Sequence, residues 1–373
     1  MIEKKYISRG RGFISRVYKI SVTFEDDFLF NFVVKIPGLE SVIEAFKDLN
    51  IHKESNKEKE LQGLHLLSKV HNIEVYFYNH FSKIKNLNLF KCYGTLEWIV
   101  NEQAGAIVME YAGEEGSNFC IHESMTFEQA NNLLDQLLNL QSHFFALPDA
   151  EWITKFPRPF GIENMSSMIG MLGQNYDLIK SFIPQSNWID IDTDIRALIV
   201  NFKDICRYNS GKLMESEGNC LAMQLGDSWC NNIMYKSRQD KEIYLVDFQL
   251  FHAGNITEDI TRAILTSCSP DIRHSIEKES LFKFHQELVA KASKNEIKFD
   301  MSWETFKNNY DSNFIEQSIQ FLILIAFTVY SVRTDSLEQI KLNNDAIGQK
   351  VINGLRDAIT LCKKDYPQWL IIN

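Results

Sequence analysis

The sequence predicts an α+β fold in which a small, β-rich first part precedes a larger, mainly helical part. Residues 17–24 and 28–36 are short runs of β-branched and aromatic residues joined by three acidic residues, which is the pattern of an antiparallel hairpin. After Ala112, apolar residues recur instead at intervals of three and four, as in helices that bury one face. The change of period indicates two regions of different architecture.

The first part carries further signals of regular structure. From residue 58 onward the leucines recur with helical spacing, which predicts a long helix. Residues 87–98 predict a strand pair, and residues 105–113 predict an apolar strand that ends at a small-residue break. We therefore expect a sheet with at least one helix packed against it.

We place the boundary between the two parts near Ala112. The second part opens with Thr126 and Gln129, whose spacing is that of a capping box at the start of a helix. Residues 162–219 continue the helical periodicity without any recognisable chemistry.

A second hairpin lies inside the helical part, within residues 225–249. Because a hairpin brings the start of its first strand beside the end of its second, Asn232 and Asp247 are predicted to be neighbours. Asp227 lies on the loop just before them. Phosphoryl transfer from Mg-ATP needs a carboxylate that positions a hydroxyl and accepts its proton, together with hard oxygen ligands for Mg²⁺. Asp227 fits the first role, and Asn232 and Asp247 fit the second; the alternative is that the three residues merely cap turns.

These residues also carry a resemblance to a known family. The segment from Asp227 to Asn232, followed by Val246-Asp247-Phe248-Gln249, resembles the catalytic segment of the choline-kinase-like (CHK kinase-like, ecdysteroid-kinase-like) group. That group belongs to the aminoglycoside-phosphotransferase clan of the protein-kinase-like fold. Residues 252–262 extend the resemblance to the branch that is expanded in nematodes. Leu225 is a departure, because the family carries at this position a His that supports the catalytic loop.

The resemblance implies a two-lobed protein-kinase-like fold, with a small β-rich N-lobe of residues 1–112 and a larger, mainly helical C-lobe of residues 113–373. The N-lobe would cover the nucleotide. The C-lobe would carry the catalytic loop and the metal site, with residues 162–219 forming a helical cap beside the acceptor.

The resemblance also implies which N-lobe residues hold the phosphates. Gly12 and Ser15 would belong to a loop over the phosphates, and Lys35, in Val34-Lys35-Ile36-Pro37, would pair with them. Glu74 would form an ion pair with Lys35. The alternative for the loop is a plain β-turn. The alternative for Lys35 is a strand-end lysine that reaches solvent, and the alternative for Glu74 is a solvated helix face.

Residues 107–112 would be the inter-lobe linker that contacts the adenine. By the same resemblance, Glu110 offers its carbonyl and Ala112 its amide. The alternative is an ordinary strand end.

Composition excludes several other classes of function. The net charge of −10 argues against nucleic acid as a partner, because phosphate backbones recruit basic surfaces. The seven scattered cysteines contain no C-x-x-C pair, which favours a reducing cytoplasmic location over a disulfide framework or a zinc site. Residues 321–330 form an apolar run of about half the roughly 20 residues that a membrane span needs, so we expect no membrane association.

The sequence therefore predicts a small-molecule kinase that uses ATP and Mg²⁺ to phosphorylate a hydroxyl of a small molecule. The alternative is a pseudokinase-type binding module, which the substitution of Leu225 for the family His favours.

Overall fold

The computed structural model describes residues 1–8, 14–39, 57–161, 170, 172–173, 176–184, 187–293, 301–329 and 337–372. The statements below concern these residues. Gly12 lies outside them, as do residues 162–169, 171, 174–175 and 185–186 of the predicted cap at 162–219.

The first part of the chain forms a five-stranded antiparallel sheet. Its strands are β1 (Ile2–Tyr6), β2 (Ser15–Thr23), β3 (Leu29–Pro37), β4 (Cys92–Leu96) and β5 (Ala106–Glu110), in the order β1-β2-β3-β5-β4. The predicted hairpin is confirmed as β2 and β3, in which Val17 lies opposite Lys35. This register places Lys35 near the end of its strand, next to the start of β2.

A long helix, α1 (Lys57–Phe81), connects β3 to β4 in the chain and confirms the helix predicted from residue 58. The strand pair predicted over residues 87–98 is wrong: within the described range 57–161, β4 is the one strand that this stretch contributes. The reason is that the backbone around Asn88 bonds to the helical part instead. Its N–H donates to Oε1 of Gln136 and its carbonyl accepts from the N–H of Leu245.

The second part of the chain is mainly helical. Its helices are α2 (Phe127–Phe145), α3 (Glu151–Lys155), α4 (Asp192–Val200), α5 (Phe202–Arg207), α6 (Glu258–Ser267), α7 (Pro270–Glu279), α8 (Leu281–Ser293), α9 (Trp303–Val329) and α10 (Leu337–Asp365). The predicted capping box is confirmed, since Thr126 and Gln129 exchange hydrogen bonds at the start of α2. Such a cap supplies partners for backbone N–H groups that the first helical turn leaves unpaired.

The second part also contains short strands. They are β6 (Ser117–Asn118), β7 (Leu221–Gln224), β8 (Ile233–Tyr235), β9 (Tyr244–Leu245) and β10 (His252–Asn255). Two of them, β8 and β9, lie within residues 225–249, where the sequence predicts a hairpin. The antiparallel pairing of Ile233 with Leu245 confirms the second hairpin.

The middle of α9 lies in the core of the helical part. Phe314, Ile315, Ile319 and Leu322 are at most 1% exposed, so residues 314–325 form a buried helix segment rather than a surface one. Among the described residues, no helix is both long and apolar enough to cross a membrane.

The predicted fold class, α+β with a small antiparallel sheet lobe and a larger helical lobe, is confirmed by this arrangement. The proposed boundary at Ala112 remains a prediction.

Candidate active site

A cavity of about 810 Å³ lies where the sheet meets the short strands of the helical part. This volume is in the range of pockets that hold small ligands. Lys35 and Glu74 line it from the N-terminal side, and Asp227, Asn232 and Asp247 line it from the helical side. The chain thus brings the predicted phosphate-binding and metal-binding residues to one cavity.

Lys35 forms ion pairs with two carboxylates. Its Nζ donates to Oε2 of Glu74 at 2.6 Å and to Oδ1 of Asp247 at 2.7 Å. Glu74 reaches the pair from α1 and Asp247 from the loop after β9. The Lys35 ammonium therefore links three separate segments of the chain.

Burial and the charges of neighbouring residues act in opposite directions on the pKa values of Lys35 and Glu74. Burial lowers the pKa of Lys35, but the carboxylates of Asp247 and Glu74 outweigh it and hold the pKa above its usual value. Burial raises the pKa of Glu74 to about 7, with Lys35 opposing and the negative charge of Asp247 adding to the rise. Lys35 consequently stays charged, and burial makes the charged form of Glu74 depend on this cation.

Two local features fix Asp247. Its φ of 66° and ψ of 69° lie in the left-handed region, which a non-glycine residue adopts rarely and at a cost. The next residue, Phe248, is fully buried and stacks on Phe77 of α1 with ring centroids 3.5 Å apart and planes 7° apart. Because Phe77 lies one turn after Glu74, the same face of α1 holds both the ion pair and the ring stack.

Asn232 is oriented by Asp227. Its amide nitrogen donates to the backbone oxygen of Asp227 at 2.8 Å and to Oδ2 of that residue at 3.0 Å. The backbone carbonyl of Asn232 accepts from the N–H of Val246, which places Asn232 next to Asp247 as the hairpin predicted. Since the amide nitrogen is used twice, the amide oxygen is the atom left to act as a ligand.

Asp259 supports the loop before Asp227 through two hydrogen bonds. The Asp259 carboxylate accepts from the N–H of Leu225 and, at 3.1 Å, from the N–H of Gly226. Gly226 has a φ of +84°, and a Cβ there would collide with the carbonyl oxygen of Leu250. Leu225 is fully buried, so an apolar residue fills the site of the family His while Asp259 braces the loop.

Sequence reasoning gave no role to Arg262, which lies against Asp227. The Nη2 of Arg262 donates to Oδ1 of Asp227 at 2.6 Å, while its Nη1 donates to the side-chain oxygens of Gln317 and Gln320. The sequence contained one indication of this contact. Arg262 follows Asp259 by three positions, so a helix places both residues on one face, toward the loop that carries Asp227. Two buried glutamines in the apolar stretch of α9 were a second signal.

A second ion pair, also not predicted, lines the same cavity. Arg158 holds both carboxylate oxygens of Glu258, the first residue of α6, and the bond from its Nη1 measures 2.9 Å. The Nε2 of His252 lies 3.6 Å from Oε2 of Glu258. Burial raises the pKa of Glu258, but Arg158 outweighs this and holds the pKa well below its usual value.

Of the predicted nucleotide contacts, Ser15, Glu110 and Ala112 line the cavity. Ser15 is buried at the start of β2, and Glu110 ends β5. The carboxylate of Glu110 is paired with Lys236 at 3.0 Å. Gly12 lies outside the described residues, and the contacts of all these residues with a nucleotide remain predictions.

The donor set fits a hard divalent cation. Asp247 contributes a carboxylate and Asn232 an amide oxygen, and oxygen ligands of this kind are those that Mg²⁺ takes. Lys35 supplies the fixed positive charge that suits a phosphate group in the same cavity.

The fold and this group of side chains define the class: an α+β chain with a small sheet lobe and a larger helical lobe, and with an ion-paired lysine and acidic residues in one cavity. The chain belongs to the DUF1679 family, described as "Uncharacterized oxidoreductase dhs-27", which matches residues 3–365. A Caenorhabditis elegans protein with that same description is 25% identical over 362 residues, covering 93% of this chain and 41% of that protein. The chain thus spans about two fifths of the length of the curated relative that it matches.

Similar solved structures include two kinases and an aminoglycoside phosphotransferase. A Plasmodium vivax ethanolamine kinase is 14% identical with a TM-score of 0.47, covering 99% of this chain and 84% of its own. Aminoglycoside phosphotransferase APH(3″)-Id from Streptomyces rimosus is 12% identical with a TM-score of 0.42, covering 88% and 92%. Choline kinase LicA from Streptococcus pneumoniae is 14% identical with a TM-score of 0.37, covering 91% and 89%.

Proposed function

We propose that this chain is a phosphotransferase that moves the γ-phosphoryl group of ATP, with Mg²⁺, to a hydroxyl of a small molecule. The observation that carries the proposal is that Lys35 of the sheet lies in one cavity with Asp227 and Asp247 of the second hairpin, which is far from Lys35 in the sequence. Phosphoryl transfer depends on positioning and charge neutralisation rather than on covalent chemistry by the protein, and this set of residues supplies both.

Each residue has a distinct role in the proposal. Asp227 orients the acceptor hydroxyl and takes its proton, because it is the carboxylate of the loop beside the metal ligands. Lys35, held by Glu74, neutralises charge on the phosphates. Asn232 and Asp247 hold Mg²⁺, which when bound offsets the negative charge that phosphoryl transfer develops.

The name of the Caenorhabditis elegans relative suggests a different activity, oxidoreduction. That protein extends well beyond the matched region, since the match covers 41% of it. We assign phosphoryl transfer to the region described here, because the cavity residues of this region suit phosphate and a hard cation.

A non-catalytic nucleotide-binding module is the second candidate. Two observations favour it: Leu225 replaces the family His, and the Lys35 ammonium already occupies Oδ1 of Asp247 at 2.7 Å. One observation argues against a binding module. Asp259 still supports the loop before Asp227, so the loop stays braced although Leu225 replaces the family His.

Thermal melting separates these possibilities. A ligand that binds only the native state raises stability by about 2.7 kcal/mol at a hundredfold excess over its dissociation constant. We expect the melting temperature to rise with ATP and Mg²⁺ together, and Asp247→Asn to remove the Mg²⁺-dependent part of the rise. ATP turnover with a panel of small alcohols then distinguishes an enzyme from a binding module. An equal shift with and without Mg²⁺ in the wild-type protein would reject Asp247 and Asn232 as metal ligands.

A further inference from the structure

We infer that Arg262 is a positioning residue that fixes the Asp227 carboxylate and ties it to α9, a helix that lines the cavity. The catalytic consequence of this inference rests on the proposed function. Arg262 lines the cavity together with Asp227, and the role inferred here acts through that carboxylate.

The first step of the argument is how completely Asp227 is held. Its Oδ1 accepts from Nη2 of Arg262 at 2.6 Å, and its Oδ2 accepts from the amide of Asn232 at 3.0 Å. The side chains of Arg262 and Asp227 are 11% and 18% exposed, so water competes little for this pair. With one donor on each oxygen, rotation of the carboxylate is restricted.

The second step is how Arg262 is itself held. Its Nη1 donates to Oε1 of Gln317 at 3.1 Å and to Oε1 of Gln320 at 2.9 Å, and both glutamines are buried on α9. A planar guanidinium serves three acceptors on two sides in a way that a lysine ammonium does not. Arg262 is therefore a rigid bridge between α9 and Asp227.

The third step concerns what else α9 contributes. Ile323 and Leu324, within two turns of Gln317, line the same cavity as Asp227. The helix that forms this apolar wall is thus the helix that anchors Arg262. A shift of this wall would move the Asp227 carboxylate with it, and a misplacement of about 1 Å at a reacting group can cost roughly a hundredfold in rate.

The test uses Mg-ATP hydrolysis, with water as the acceptor, so that no unidentified substrate is needed. We expect Arg262→Gln to lower kcat roughly a hundredfold, while its dissociation constant for ATP stays within about twofold of wild type. Arg262→Lys should recover part of the lost rate, because it restores the positive charge beside Asp227 without the bridge to α9.

Arg273→Gln is the matched control. Arg273 is also a buried arginine, bonded to Glu277 and Asp357, but it does not line the cavity. The Arg273→Gln protein should be less stable than wild type but should have the same kcat. If Arg262→Gln and Arg273→Gln show the same kcat, Arg262 does not position Asp227 and the inference is wrong.

A thermodynamic cycle keeps the test decisive when wild-type hydrolysis is undetectable. Melting temperatures are measured for Arg262→Gln, Asp227→Asn and the double variant. Non-additive shifts support the fixed pair even if the proposed function fails, because residues in contact or in one hydrogen-bond network show coupling that independent sites do not. Additive shifts overturn the inference, whether or not the protein binds ATP.

Discussion

The Nζ of Lys35 lies 2.7 Å from Oδ1 of Asp247, a residue 212 positions further along the chain. This bond joins β3 of the sheet to the loop after the second hairpin. The same ammonium also holds Glu74 of α1. The geometry of the candidate site therefore depends on one buried cation, and this can be measured through stability as well as through activity.

Lys35→Met should destabilise the protein strongly. Glu74 is 1% exposed, and removing Lys35 leaves its buried carboxyl without a cation, which typically costs about 3–5 kcal/mol. The free energy of unfolding from urea titration at neutral pH measures this loss.

Lys19→Met is the control for that variant. Lys19 pairs with Glu114, whose side chain is 77% exposed, so solvent screens this pair and its loss should destabilise the protein far less than the loss of Lys35. Equal losses for the two variants would mean that Lys35 is not the buried link that its contacts indicate.

Asp227→Asn should abolish phosphoryl transfer and leave the affinity for Mg-ATP within a few-fold of wild type. The amide keeps the shape of the side chain but is not a base, and the loss of general base catalysis typically costs about 10²–10⁴-fold. Steady-state kinetics measures the loss of turnover, and titration calorimetry measures the affinity for the nucleotide separately.

Asp240→Asn serves as the control, because Asp240 lies on the exposed turn of the same hairpin, where it accepts from the N–H of Ser237. Its activity should match wild type. Full turnover by Asp227→Asn would remove Asp227 from the mechanism.

Much of the site was predictable from local sequence patterns. The hairpin from 225 to 249 has strands, a polar turn and chemically distinctive residues in a short span, so the proximity of Asn232 and Asp247 follows from its geometry alone. The ion pair of Lys35 with Glu74 came from the family resemblance, since no local pattern links residues on a strand and a distant helix.

Other contacts were not predictable from the sequence. The contact of Lys35 with Asp247 and that of Arg262 with Asp227 depend on how helices and sheet pack, which periodicity does not encode. The backbone partners of Asn88 are likewise tertiary, and for this reason the strand predicted there does not form.

Phe77→Ala should destabilise the protein and loosen Asp247 at the same time. Phe77 is fully buried and stacks on Phe248, and truncating a buried phenylalanine typically costs about 3–5 kcal/mol. Chemical denaturation measures the stability. Because Phe248 follows Asp247 directly, the Mg²⁺-dependent part of the nucleotide-induced melting shift should also shrink.

The control is Phe282→Ala. Phe282 is 46% exposed and packs on Trp303 at the surface of the helical part, so its loss should be smaller and the nucleotide shift unchanged. A Phe77→Ala protein with wild-type stability would show that the ring stack contributes nothing.

Acid should destabilise the protein in part through Glu258. Its folded-state pKa lies well below 4.5, the usual value, because Arg158 outweighs the effect of burial. The stabilisation from this carboxylate is therefore fully present above about pH 4.5 and is lost as the pH falls toward the folded-state pKa. Urea midpoints between about pH 6 and pH 3.5 should fall more steeply for wild type than for Glu258→Gln, which has no proton to take up.

Asp177→Asn provides the comparison for this pH series. The pKa of Asp177 is also lowered, by hydrogen bonds from Lys180 and Arg196, but its side chain is 74% exposed and solvent screens the interaction. The pH slope of Asp177→Asn should therefore stay close to that of wild type. If Glu258→Gln keeps the wild-type slope as well, the pair of Arg158 and Glu258 is not a source of acid sensitivity. The loss would then have to come from other carboxylates that are paired in the native state.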